Sequence, residues 1–146
     1  MSTIKVDTYL TRGGASEIAI DKLKGASSAA SMTVVGEGGS TTTNLQQGLA
    51  KCWTRTSGDG TSLLDSLNCS SIDDRSTGQV DVNFTTSMAS VNFYISLTIQ
   101  QESGGLNLIL SSTNATTTAQ FAHGTTNTSV AYQDHAMGSS VHGDLA

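Results

Sequence analysis

From Val91 to Ile99 every odd-numbered residue is apolar, while the even positions hold Asn92, Tyr94, Ser96 and Thr98. A period of two marks a strand with one buried and one wet face, because successive side chains point to opposite sides of the pleat. Gln79-Val80-Asp81-Val82-Asn83-Phe84 alternates in the same way, and Thr117, Ala119, Phe121 and His123 share one parity. Residues 49–54, 67–72, 106–110, 129–132 and 140–142 are further candidate strands. Between them stand turn-forming clusters: Ser57-Gly58-Asp59-Gly60, Asp73-Asp74-Arg75-Ser76-Thr77-Gly78 and Glu102-Ser103-Gly104-Gly105. The last is expected to close a hairpin between the strand ending at Ile99 and the one beginning at Leu106. Short strands at this spacing predict an all-β fold, a small antiparallel β-sandwich of jelly-roll-like type, over residues 49–146.

Composition supports strands with wet outer faces. Charged residues make up 13% of the chain and apolar residues 36%, against ~25% and ~45–50% (the latter counting Gly) in typical domains. Ser, Thr, Asn, Gln and Gly take their place. Thr-rich strands with alternating apolar positions suit sheets whose other face meets water or another subunit. Aromatic residues are only 5% of the chain, so Phe84, Phe93 and Phe121 are expected in the core. Trp53 and Tyr132 are the candidates for an interface or receptor contact. The chain contains no proline, a residue that commonly guards edge strands. Unguarded edges point mildly to coverage by neighbouring chains.

Residues 1–48 read differently. Ile4, Val6, Thr8 and Leu10 alternate on one face, residues 17–21 form a shorter candidate strand, and Gly13-Gly14 marks a turn between them. Met32-Thr33-Val34-Val35 is a third short strand, broken by Gly36-Glu37-Gly38-Gly39-Ser40. Asn44 is placed to cap a helical turn through Leu45-Gln46-Gln47 that ends at Gly48. So few apolar positions cannot offset an ordering cost of ~1–2 kcal/mol per residue. The alternation argues against plain disorder, so self-association is expected. Ile4, Val6 and Leu10 form the candidate oligomerisation seam of an extended attachment or stalk segment at 1–48, ahead of a head domain at 49–146.

Charge and motifs exclude several classes. The net charge is -5 and the 7 Lys and Arg residues are scattered, which disfavours nucleic acid. No apolar run approaches the ~20 residues of a membrane span. The opening residues lack the apolar stretch of a secretory signal, so synthesis in a cytoplasm is expected. The spacing of Cys52 and Cys69 permits a disulfide, but a reducing cytoplasm favours two buried free thiols, and no second pair completes a zinc site. His123, His135 and His142 lack the spacing of a zinc helix pair. Three symmetry copies of one histidine on an oligomer axis are the one metal arrangement left open; exposed or half-buried strand histidines are the expectation. There is no Gly-x-Ser-x-Gly elbow. Asp73-Asp74 reads as the start of a tight turn, because neighbouring strand residues point to opposite faces and make a poor glycosidase pair. Gly58-Asp59-Gly60 and Glu102 offer too few acids for a calcium loop. No cofactor and no enzymatic activity are therefore expected.

Several blocks carry a likeness beyond composition. They are Thr43-Asn44-Leu45-Gln46-Gln47-Gly48-Leu49-Ala50-Lys51, Trp53, Gly58-Asp59-Gly60-Thr61, Asp65-Ser66-Leu67-Asn68 and Ser70-Ser71-Ile72-Asp73-Asp74. Thr77-Gly78, Val82-Asn83-Phe84-Thr85-Thr86-Ser87-Met88 and Val141-His142-Gly143-Asp144-Leu145-Ala146 follow. From about residue 41 onward the chain resembles a module of marine and cyanobacterial phage structural proteins. Its opening, Ser2-Thr3-Ile4-Lys5-Val6-Asp7-Thr8, looks like the start of phage fibre proteins. The resemblance implies a trimeric, β-structured protein at the virion surface, whose partners are sister copies and other virion proteins. A tail fibre, fibre tip or spike would contact a host-surface glycan or protein; the alternative is a trimeric capsid decoration or head-fibre protein. No catalytic residues come with the likeness. Such modules often carry Pro after the Met of the Phe-Thr-Thr-x-Met block, whereas Ala89 follows Met88 here, which implies a loop of different shape.

Overall fold

The computed structural model describes Gly13, residues 21–23, Gly25, and residues 31–57, 59–99, 106–109, 116–127 and 129–146. The candidate seam of Ile4, Val6 and Leu10, the candidate strand begun at Glu17 and the turn cluster from Glu102 lie outside the described residues.

The chain is mostly β, in antiparallel sheets, with one short helix. β1 (Thr33–Val35) and β2 (Thr42–Asn44) pair as a hairpin, and α1 (Leu45–Gly48) follows directly. Asn44 Oδ1 accepts a hydrogen bond from the Gln47 N–H at 2.9 Å, satisfying a donor that a helix start leaves orphaned. The Gly36–Ser40 break is the hairpin's turn, where the Gly36 N–H donates to the Thr41 carbonyl at 2.8 Å. Nothing in Thr42-Thr43-Asn44 alternates in polarity, so β2 leaves no trace in the sequence pattern.

Eight strands follow: β3 (Cys52–Thr56), β4 (Leu63–Leu67), β5 (Cys69–Ser76), β6 (Gln79–Phe84), β7 (Tyr94–Ile99), β8 (Leu106–Ile109), β9 (Gln120–Asn127) and β10 (Met137–His142). They form two four-stranded sheets, ordered β4-β3-β10-β7 and β5-β6-β9-β8, and no closed barrel forms among the described strands.

Four local expectations are corrected. Residues 67–72 are not one strand. Asn68 takes φ +54, a left-handed geometry that asparagine tolerates, and the chain there passes from one sheet to the other. The Asn68 side chain pins the crossing, accepting from the Thr86 N–H at 2.7 Å and donating to the Thr86 carbonyl at 3.0 Å. Asp73 and Asp74 do not open a turn but lie within β5, exposed, with Asn83 Nδ2 donating to Asp73 at 2.8 Å; the turn is confined to Thr77-Gly78. β7 and β8 do not form a hairpin, since β8 pairs with β9 in the other sheet. Residues 129–132 are no strand: Val130 sits at φ +63, and Tyr132 makes only an isolated bridge to Thr126.

The inward parities of both sheets meet in one core. Cys52, Val82, Phe84, Met88, Phe121 and Val141 form its centre, with Phe93, Ile95 and Leu97 packed against them. The Phe84 ring lies 5.6 Å from both Phe121 and Phe93, edge-on to the latter. Each large apolar side chain removed from water contributes about 1.5–3 kcal/mol. Hydroxyls are buried alongside, each with a partner. Thr54 Oγ1 and Ser139 Oγ stand 2.6 Å apart, and Thr56 Oγ1 accepts from the Met137 N–H at 2.9 Å. Pairing removes most of the cost of taking these groups from water, so a Thr-rich chain still closes a core.

Three of the resembling blocks come together at one end. Besides the bonds between Asn68 and Thr86, Met88 bridges to Leu145, and the Ala89 N–H donates to the Asp144 carbonyl at 2.7 Å. A proline at 89 would have no N–H to give. The alanine thus makes a strand-like contact with the 144–146 segment.

Candidate functional site

The outer face of the β4-β3-β10-β7 sheet follows from registers that place residues far apart in sequence side by side. Trp53 stands opposite Leu67 on β4 and Ser140 on β10, and Ser140 stands opposite Ser96 on β7. The next outward row runs Asp65, Arg55, Gly138, Thr98, and His142 faces Tyr94 in the row on the other side. Between Trp53 and Arg55 on β3 and Ser96 and Thr98 on β7, strand β10 therefore carries only Gly138 and Ser140 outward, with His142 beyond them at the strand's end. The result is a trench floored by β10. One hollow of about 370 Å³ lies along Trp53, Ser96 and Ser140, and one of about 250 Å³ along Ile99 and Ala136. They share Arg55, Thr98 and Gly138 as lining.

Gly138 keeps the floor of the trench low. A Cβ there would come within 2.7 Å of Thr98 Oγ1, whose hydroxyl donates to the Gly138 carbonyl at 3.4 Å. Ser140 Oγ and His142 Nε2 lie 3.3 Å apart. Trp53 is 36% exposed and Tyr94 is 69% exposed, so two aromatic rings reach solvent from this face.

The opposite sheet offers no comparable surface on β9. Six consecutive residues, from Phe121 to Thr126, are buried. Phe121 and His123 point into the core, where their rings stack at 5.7 Å. The other parity is covered by the β9–β10 connection: a Cβ on Gly124 would stand 3.0 Å from Tyr132 Cε1, and the Gln133 N–H donates to the Thr125 carbonyl at 3.0 Å. Asp134 accepts from the Gly78 N–H, tying the same connection to the β5–β6 turn.

The two aromatic candidates thus part company. Trp53 lines the trench. Tyr132 lies in the β9–β10 connection, bridged to Thr126 of the other sheet, and part of its ring serves as a lid. Sequence reasoning missed Tyr94, Ser96, Thr98, Gly138 and Ser140. The alternation of β7 already assigned its even positions to the outer face, but their meeting with β3 across β10 depends on a register between distant segments.

The histidines and cysteines sit elsewhere. His123 is fully buried, not exposed or half-buried, with Nδ1 3.1 Å from Met137 Sδ and no partner for Nε2 among the described residues. Burial pushes its pKa down to about 4. A ring enclosed in its own core cannot reach an oligomer axis, which removes His123 from the axial-metal arrangement. His135 and His142 are half-buried. No group of three His, Cys, Asp or Glu side chains among the described residues could hold a metal ion. Cys52 and Cys69 are free thiols, the first buried and the second half-buried. Burial, reinforced by the neighbouring Cys69, pushes Cys52 up to about 12, which makes it a poor nucleophile. Asp59 is held below the usual carboxylate range, first by the Ser57 hydroxyl and then by the Thr61 N–H; this fixes the β3–β4 turn.

Comparison with family models, with curated proteins and with solved structures found no match.

Proposed function

We propose that this chain is a non-enzymatic structural protein of a bacteriophage particle, displayed at the virion surface as a homotrimer, and that it acts as a tail fibre, fibre tip or spike contacting the host. Residues 1–48 serve in this reading as the attachment and oligomerisation segment. The remainder serves as a sandwich head of jelly-roll-like type, in which the first long strand, β3, pairs with the last, β10. The resemblance of the blocks from Thr43 to Ala146 supports the virion assignment. One structural observation carries the contact role: an open trench with an exposed tryptophan on one sheet, backed by a second sheet whose strand β9 is buried on both faces. An open face on a firm backing is what a presenting head requires. Three copies on one axis would offer three such faces, and linked sites can raise avidity by ~10²–10⁴ over one.

Immunogold or cryo-electron microscopy of intact particles, with the copy number per particle, tests the proposal. Few copies at the tail are expected. Copies distributed over the capsid in proportion to the coat protein would instead establish the decoration role, and absence from the particle would end both.

A further inference from the structure

We propose that the trench between Trp53 and Thr98 binds a neutral, hydroxyl-rich glycan chain, with one sugar face stacked on the Trp53 indole. This rests on the reading of that sheet face as the surface that meets the host, and it names the chemistry met there.

Width excludes the common peptide modes. Trp53 and Ser96 flank Ser140 across two strand spacings, or about 9.5 Å. An α-helix with its side chains is about 10–12 Å across and does not fit between those walls. Strand addition needs an unpaired edge: β3 and β10, one wall and the floor, are each paired on both sides, and the free edge of β7 faces away from the trench. A single extended chain lying on the floor does fit.

The lining selects what that chain is made of. Ser96, Thr98 and Ser140 present hydroxyls that both donate and accept, which complements a ligand rich in the same group. The hydroxyls of Thr98 and Ser140 are held by the Gly138 carbonyl and by His142, so they keep capacity for a second partner in a fixed orientation. The Trp53 indole supplies a flat apolar wall for the C–H face of a sugar ring. Among the described residues, Arg55 is the one charged side chain lining the two hollows, it stands in register with Asp65 on the neighbouring strand, and no carboxylate lines them. A polyanion would require clustered cations; a neutral chain does not.

The sequence holds a single tryptophan, so indole emission reports on this site alone. The experiment titrates the full chain with neutral hexasaccharides of the gluco, galacto and manno series, and with polygalacturonate as the anionic comparison. At least one neutral oligosaccharide is expected to give a saturable emission change that added salt leaves unaltered. By calorimetry, Trp53→Ala is expected to weaken that binding about tenfold or more. Ser140→Tyr, which fills the floor, is expected to abolish it while leaving the melting transition in place. Silence toward every neutral oligosaccharide overturns the assignment, as does salt-sensitive binding of polygalacturonate alone. So does a free protein whose indole already emits as a buried group and whose oligomer dissociates in Trp53→Ala, because a sister copy would then occupy the trench. Any of these results leaves the virion placement standing, since microscopy of the particle tests it separately.

Discussion

The two four-stranded sheets share one core but are finished differently. In β5-β6-β9-β8, β9 is buried on both faces, the aromatic cluster leans on it, and the β9–β10 connection closes over its outside. In β4-β3-β10-β7, strand β10 is buried on its inward parity only, one of its inward positions is a serine hydroxyl paired with that of Thr54, and its outer parity carries Gly138, Ser140 and His142. The first sheet holds Phe84 and Phe121 in the core, while the second leaves Trp53 and Tyr94 exposed. A small domain with few aromatics cannot spend them equally on both tasks, and here the phenylalanines go inward while Trp53 and Tyr94 go outward.

The sharpest way to break this contrast is truncation on each side. Phe121→Ala should lower the unfolding free energy by about 3–5 kcal/mol, as loss of a buried phenyl does, whereas Trp53→Ala should stay within about 1 kcal/mol. Urea unfolding of both variants measures the difference, and equal losses would refute the division of labour.

Acid is the next probe, because His123 lies in the sealed sheet. Its pKa falls from 6.5 to about 4 on folding. Above 6.5 both folded and unfolded chains hold the ring neutral, so the full stability is present. Below 6.5 the unfolded chain gains a proton that the folded chain refuses until about pH 4. Stability should therefore drop by about 3 kcal/mol across that window. His123→Leu should flatten the drop, as read by denaturant midpoints at successive pH values.

The smallest effect compares two glycines. Gly78 has φ +68, and a Cβ there would lie 2.6 Å from the backbone of Gln133. Gly78→Ala should cost about 2 kcal/mol and speed amide exchange in β9. A Cβ at Gly138 would crowd the Thr98 hydroxyl at 2.7 Å, which can rotate away, and meet the Thr54 carbonyl at an ordinary 3.6 Å, so Gly138→Ala should cost about 1 kcal/mol or less while narrowing the trench.

Local pattern made much of this architecture legible. β6 spans the residues its alternation marks, Asn44 caps its helical turn, and the odd-numbered residues of β7 face inward. Phe84 and Phe121 are buried and Phe93 packs against them. What stayed hidden depends on a single residue's dihedral or on distant pairing. Asn68 redirects the chain to the other sheet by adopting φ +54, and no apolar period announces that. Asp73 and Asp74 look like turn formers because an edge strand facing water needs no apolar residues. Val130 looks like a strand residue, yet Asn127 Oδ1 accepts from the N–H groups of Ser129 and Ala131 and holds a tight turn around it. At the site, Trp53 was legible as a rare aromatic. The floor beneath it was not, because β3 and β10 meet only in the folded chain.

The clasp between residues 87–89 and 144–146 has a consequence for chemical ageing. Met88 is 1% exposed, and a Cβ at Gly143 would stand 2.9 Å from its methyl carbon, so peroxide meets its thioether only when the clasp lifts. Sulfoxide formation at Met88 therefore scales with the fraction of time the clasp stands open. Mass spectrometry of peroxide-treated protein, set against the rate for an exposed methionine, would use this one sulfur as a gauge of that open population.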